Sequence, residues 1–401
     1  MSREGKGIAL SMNDIERLRD DIGPEYVIQM YDPVSRMRAV VVIDTAVFGV
    51  AAGGIRMLPD ITTEEIIHLA RAMTYKFAIL DIPVGGAKSG IFADPSSPDR
   101  DRIIDSYGRH ITPFLKQLMY IPGADMGTSD RDVARIYEVA GVKELAPSGL
   151  TLREKEGMPL EDHLTGYGVV VAAKTACELI SLSINGATVA IEGFGKVGGG
   201  VARYMARSGA KVVAVSTIEG AVYNPDGLDV EKMLEMRKKL GDKVVLEYEN
   251  GEHIGREELF TLPVDILVPG ARPYVINKGN ADKIQAKLIA PGANIPVTDE
   301  ADEILLQRGV VVLPDFVANS GGVIAATLDR MSATEEKAFK VVEEKISSLT
   351  REVLSKALKE NMSPTKLAKE MALEKVRRAI KDRRQLQAEE LERIVRKKIE
   401  V

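Results

Sequence analysis

The sequence predicts an α/β protein of two domains, the second a doubly wound, Rossmann-like sheet, followed by C-terminal helices. Three observations carry this expectation. At 401 residues the chain is too long for one ordinary core. The stretch 26–80 sets strand-like runs ahead of a long helical periodicity. Beyond residue 166, short β-branched runs alternate with helical segments, the pattern of parallel strands joined by crossover helices. The divisions expected are 1–160, 161–330 and 331–401.

Composition excludes several classes. Hydrophobic residues make up 45%, charged residues 28%, and the formal net charge is −5, which fits neither a nucleic-acid binder nor a disordered chain. Cys177 is the only cysteine, so an intramolecular disulfide is impossible and no metal-ligand cluster stands out. A reducing cytoplasm fits. The opening "MSREGKGIALSMNDIERLRDD" lacks the apolar core of a signal peptide, and no apolar run reaches the roughly 20 residues that span a bilayer. Neither export nor membrane insertion is expected.

Taken in order, "YVIQMY", "MRAVVVID" and "FGVAAGGIRML" read as strands separated by turn formers at Asp32-Pro33 and Asp44-Thr45. A helix follows, with Thr62 and Glu65 spaced as a capping box. Its apolar positions Ile66, Leu69, Ala70, Met73, Phe77 and Leu80 recur at helical spacing, and Lys76 falls on that same stripe. Snorkelling is the ordinary explanation for such a lysine. Next, "DIPVGGAKSG" sets Lys88 among small residues, read as a bare setting in which Gly85, Gly86, Ala87 and Gly90 keep space beside the ammonium group. Helices are expected over 100–119 and 130–140, then a polar connection, "PSGLTLREKEGMPLEDH". "ATVAIEG", "AKVVAVST", "VDILVP", "KLIA" and "VVVLP" are the parallel strands of the second domain.

One motif has a definite mechanism. Gly193, Gly195 and Gly198 form G-x-G-x-x-G directly between a β-branched strand and an amphipathic helix, flanking Lys196 and Val197. The first glycine permits a tight turn, the second lets backbone approach a pyrophosphate, and the third lets helix pack on strand; free amides at the helix N-terminus face the anion. The following strand ends at Ser216 and Thr217, with Glu219 nearby and no arginine beside them, so NAD and NADP both stay open.

"GGIRMLPD", "MTYKFAILDIPVGGAKSGI", "GADMGTSD", "TGYGV", "GANIPVTDEADEIL" and "NSGGV" occur in the order of the glutamate/leucine/phenylalanine/valine dehydrogenase family, and the chain resembles it from about residue 25 to about 380. The lysine-bearing segment is the most specific, joining T-Y-K to P-x-G-G-x-K with the lysines twelve positions apart. The resemblance implies two domains about a cleft, the first substrate-binding and catalytic, the second dinucleotide-binding, with the C-terminal helices returning toward the first. It implies NAD- or NADP-dependent, reversible conversion of an L-amino acid to a 2-oxo acid and ammonia, in a homo-oligomer, hexamer or octamer. By family match Lys76 binds the substrate α-carboxylate, Lys88 is the catalytic lysine and Asp125 the acid/base; Gly54 also lies at the substrate. Thr165 and Asn319 match residues near the nicotinamide and substrate, and Asn294 one on the nicotinamide ribose side.

Departures bear on the substrate. Members acting on glutamate usually carry a lysine just before G-G-x-R, where this chain has Ala52; a serine seven residues after the "NSGGV" asparagine is here Ala326; an arginine four residues before the "TG" threonine is Glu161. A buried carboxylate without a cation or donor costs on the order of several kcal/mol, so a neutral substrate side chain is expected. Two other readings remain at this level: a glutamate dehydrogenase with contacts relocated, for instance to Arg56, and a nucleotide-binding sensor or assembly subunit without turnover.

Overall fold

A computed structural model describes residues 12–146, 153–156 and 158–399. Part of the expected polar connection, 147–152 and 157, lies outside them. The chain divides into two units, 1–147 with 369–401, and 148–368.

Alternation of side chains builds the first unit. After the short helix α1 (Met12–Arg17), strands β1 (Tyr26–Tyr31), β2 (Arg38–Ile43), β3 (Ala51–Met57), β4 (Gly85–Ile91) and β5 (Tyr120–Ala124) form one sheet in the order β1-β2-β4-β3-β5. The β1–β2 and β2–β4 pairs are antiparallel, whereas β3 runs parallel to both β4 and β5. One face carries Val41, Ile43, Ile55, Met57, Ala87 and Ile91 into a core shared with Ile104, Tyr107 and Ile111 of α3 (Arg100–Lys116) and Val133 and Ile136 of α4 (Asp130–Val139). Burying each large side chain contributes about 1.5–3 kcal/mol. The other face is covered by α2 (Thr63–Ile79), whose Ile66, Leu69, Ala70, Met73 and Phe77 are buried at the expected spacing.

β4 is the main departure from the sequence reading. The sequence predicts a bare setting for Lys88 with space kept beside it, yet all seven residues of β4 are buried. Its glycines admit protein rather than ligand: a Cβ on Gly86 would sit 2.2 Å from the Thr74 amide nitrogen and 2.3 Å from the Ala70 oxygen of α2. Gly85 and Gly90 are closed off in the same way by the Thr45 carbonyl and Ile66.

The second unit opens with a hairpin, β6 (Glu154–Lys155) and β7 (Met158–Pro159), then α5 (Leu160–Leu179). The fingerprint segment follows as β8 (Thr188–Glu192), α6 (Lys196–Arg207) and β9 (Lys211–Thr217). β9 turns back through β10 (Gly220–Tyr223), α7 (Val230–Leu240), α8 (Val244–Glu247) and β11 (Glu252–Ile254) before β12 (Ile266–Pro269), β13 (Leu288–Ile289), α9 (Asp299–Gln307) and β14 (Val311–Val312). Sheet order is β11-β10-β9-β8-β12-β13-β14, so the five expected strands are mutually parallel and β10 and β11 extend the β9 edge antiparallel.

Helices α10 (Asp315–Ala318), α11 (Gly321–Arg330) and α12 (Glu335–Glu360) complete this unit; α12 packs along α5 and buries Val342, Ile346, Leu349 and Val353. The final helix, α13 (Pro364–Ile399), crosses the division at Lys369, so the segment expected as one piece, 331–401, is shared between the units. In the first unit Arg377 of α13 pairs with Asp21 at 2.6 Å, and Lys375 pairs with Asp81. Among the described residues no helix is long and apolar enough to cross a membrane.

Candidate active site

In the first unit the register of three parallel strands decides which side chains meet. Ala52 lies opposite Gly86 and Arg56 opposite Gly90, while Gly54 lies opposite Gly123 of β5. Because side chains alternate, Ala52, Arg56 and Lys88 project from the face that α2 covers, and Gly54 occupies a position on that face with no side chain. Asp125 follows β5 at once and joins them. Its backbone is fixed by Thr128, whose hydroxyl accepts from the Asp125 amide at 2.9 Å and donates to the Ile55 carbonyl at 2.6 Å. Ser129 then caps α4 with a complete capping box.

The result is a row of four alternating charges. Lys88 Nζ stands 2.6 Å from Asp125 Oδ2, Arg56 Nε donates to the same oxygen at 3.2 Å, and Arg56 Nη1 donates to Glu65 Oε1 at 2.8 Å. Lys88 and Arg56 each leave 4% of their side chain exposed, against 19% for Asp125, so the carboxylate is the accessible member. Gly54 leaves the room they need, since a Cβ there would lie 2.7 Å from Asp125 Cβ and 3.2 Å from Lys88 Nζ.

Electrostatics follow from this packing. Burial pushes the Lys88 ammonium group below its usual value and Arg56 adds to that, with Asp125 opposing. For Asp125 burial works upward, but Arg56 and Lys88 outweigh it and hold the carboxyl well below the usual range. Asp125 is therefore ionised at neutral pH. Burial also acts against Arg56, and Asp125 and Glu65 together keep it charged.

Two expectations are corrected here. Lys88 is not unshielded but buried and ion-paired. Thr62 does accept from the Glu65 amide at 3.1 Å, but the Glu65 carboxylate reaches Arg56, so the capping box is only half made. Arg56 is expected only as a possible contact for a substrate carboxylate and Glu65 only as a capping residue; their spacing in sequence gives no sign that they pair. Lys76 is buried on α2 at 5% exposure and does not snorkel; Ala52 and Gly54 are half-buried.

In the second unit each glycine of the fingerprint has a separate environment. Gly193 adopts φ +89°, and its N–H donates to Ser216 Oγ at 3.1 Å. A Cβ on Gly198 would lie 1.7 Å from the Gly193 oxygen, which accounts for the third glycine as a point of helix–strand contact. Gly195 differs. It is the N-cap of α6, and nothing stands within 4 Å of the place its Cβ would occupy. Lys196 is exposed, 3.6 Å from Asp162, and Val197 is half-buried.

The Thr217 hydroxyl donates to the Asp242 carbonyl at 2.6 Å, so it is engaged within the protein. Asn319 donates through Nδ2 to the Ala293 carbonyl at 2.9 Å and to Asn294 Oδ1 at 3.2 Å, which leaves its own Oδ1 buried without a partner. Thr165 donates to the Glu161 carbonyl at 2.9 Å and lies close to Gly322 of α11, the helix that also carries half-buried Ala326. Glu192, not anticipated, ends β8 and accepts from the amides of Gly270 and Ala271 at 3.0 and 2.8 Å, tying the glycine turn to the loop after β12.

These residues fit a dinucleotide. The helix N-terminus supplies amides to a pyrophosphate, Gly195 leaves the space, and the unpartnered Asn319 oxygen suits an amide donor such as a carboxamide. Among the described residues no group of three or more His, Cys, Asp or Glu is arranged to hold a metal.

A turn shaped for a dinucleotide and a buried lysine paired with an ionised aspartate in one chain define a dinucleotide-linked oxidoreductase. Residues 24–140 match the Glu/Leu/Phe/Val dehydrogenase dimerisation domain and residues 157–384 match the Glutamate/Leucine/Phenylalanine/Valine dehydrogenase model. The chain belongs to that family of amino-acid dehydrogenases. It is 37% identical to a glutamate dehydrogenase of Aeropyrum pernix over 82% of each chain. It is 38% identical to an NADP-specific glutamate dehydrogenase of Saccharolobus shibatae over 69% of this chain and 67% of that one. Among solved structures, the leucine-bound hetero-hexameric glutamate dehydrogenase of Thermus thermophilus is similar with TM-score 0.79 and 26% identity, covering 91% of this chain and 94% of that one. The L-tryptophan dehydrogenase of Nostoc punctiforme is similar with TM-score 0.62 and 25% identity, covering 92% and 99%.

Proposed function

We propose that this chain carries out reversible oxidative deamination of an L-amino acid with a neutral side chain, giving a 2-oxo acid and ammonia. NAD or NADP, bound at Gly193, Gly195, Lys196, Val197 and Gly198, with Ser216 and Thr217 toward one ribose and Thr165, Asn294 and Asn319 toward the nicotinamide, supplies the hydride acceptor. Lys76 pairs with the substrate α-carboxylate. Hydride loss from Cα leaves an iminium ion to which a water molecule adds, and Lys88 hydrogen-bonds the oxygen of the resulting carbinolamine, whose collapse to the 2-oxo acid releases ammonia. Asp125, ionised and partly exposed, takes the proton from the substrate nitrogen and returns it.

The observation that carries the side-chain preference is the engagement of Arg56. It is the cation suggested as a substitute for the lysine missing at Ala52, and both Glu65 and Asp125 already hold it. Recruiting it to a substrate carboxylate would strip a buried pair, which costs about 3–5 kcal/mol. The names of the relatives point to glutamate, so the test is a direct competition. Steady-state assays of L-leucine, valine, phenylalanine, methionine, tryptophan and glutamate with each cofactor should place a neutral amino acid first by tenfold or more in kcat/KM. A tenfold lead for glutamate overturns the preference. The assembly expected is a hexamer or octamer of this chain, which the mass of the purified protein in solution checks.

A further inference from the structure

Lys88 and Asp125 do not form an isolated pair, and what lies behind them is not part of the expected site. Arg56 has one edge on Asp125 and the other on Glu65, so a single guanidinium is divided between a carboxylate at the reacting end and one anchored in the first turn of α2. Charged groups reach the pair from two directions, Arg56 from β3 and Glu65 from α2; α2 also brings buried Lys76 into this unit. On the other flank of β4, strand β2 places apolar Val42 opposite Lys88.

We propose that Arg56 and Glu65 are positioning residues for the reaction: Glu65 orients Arg56, and Arg56 holds the Asp125 carboxylate against Lys88. This rests on the reading above, in which Lys88 and Asp125 handle the protons. Glu65 turns its carboxylate away from the second half of a capping box to make this contact, giving up a local bond for a longer-range one. A guanidinium suits the task because its planar fork keeps two carboxylates at fixed separation, which an ammonium group does not.

Opposite signs provide the test. Removing the Arg56 charge takes a cation away from both Asp125 and Lys88, which raises the proton affinity of each; removing the Glu65 charge takes away an anion and lowers both. In pH profiles of kcat/KM, the limb set by Lys88 should move up by about one unit in Arg56→Gln and down by about half a unit in Glu65→Gln, the Asp125 limb lying below the assayable range. Arg56→Lys should bring the limb back toward its original position while kcat stays reduced. A purely structural role would lower activity and leave the limb in place.

An unmoved limb, or one displaced the same way in both variants, overturns the proposal. If Arg56→Gln does not fold by thermal melt, Glu65→Gln decides alone, because Glu65 retains 18% side-chain exposure and tolerates the isosteric change. Lys88→Ala, assayed alongside, separates the two levels. Turnover within tenfold of the parent would defeat the functional reading itself, whereas lost turnover with an unmoved limb in the other variants would defeat only this inference.

Discussion

Two glycine-rich segments, β4 and the turn at 193–198, look alike on paper and behave as opposites. Along β4 the missing side chains make way for other parts of the protein: at Gly86 the helix backbone is already 2.2 Å from where a Cβ would be. At Gly195 no other part of the protein comes within 4 Å of where a Cβ would be, and the vacated volume opens at a helix N-terminus. A glycine motif therefore reports that volume has been given up without saying who occupies it. What separates the two cases is whether a neighbouring element has a small-residue face ready to enter, as α2 does at Ala70 and Thr74.

The comparison can be broken by exchange. Largest in effect is Lys88→Ala, which should lower kcat by about 10³-fold or more while the Kd for dinucleotide, read by fluorescence titration, changes less than threefold. A comparable loss of cofactor binding would mean that β4 and the turn serve one purpose after all. Next, Gly86→Ala should destabilise the protein by about 3 kcal/mol in chemical denaturation, since the clash is with backbone and relieving it requires α2 to shift. Smallest in stability is Gly195→Ala, whose φ of −78° an alanine accepts. It should leave the melting midpoint within about 2 °C and weaken dinucleotide binding about tenfold, and a stability loss matching that of Gly86→Ala would erase the distinction.

Legibility in the sequence followed the same divide. Strands β1 to β3 and the β8–α6–β9 unit were readable because β-branched runs and a spaced glycine motif are local signals. β4 escaped: four of its seven residues are Gly or Ala, which have little strand preference and show no alternation, so only pairing with β2 and β3 makes it a strand. β5, "YIPGA", is hidden by Pro122 and Gly123 at a sheet edge. Strands β10 and β11 were missed because the expected pattern was wholly parallel. At the site, Lys88 and Asp125 are legible through motif, while the contact of Arg56 with Glu65 and Asp125 is not. Their contact joins a strand to a helix cap, and the cap reading was already sufficient for Glu65.

One further consequence comes from the odd–even arrangement of β4. Its Ala87, Ser89 and Ile91 face the α3 side, where Tyr107 donates to Ser89 at 2.6 Å, and Lys88 faces the other way. Sliding the strand by one residue would thrust an ammonium group among Ile104, Tyr107 and Ile111. Misthreaded chains are thereby selected against during folding itself. Molecules that complete their sheet have, by that act, already aimed the lysine.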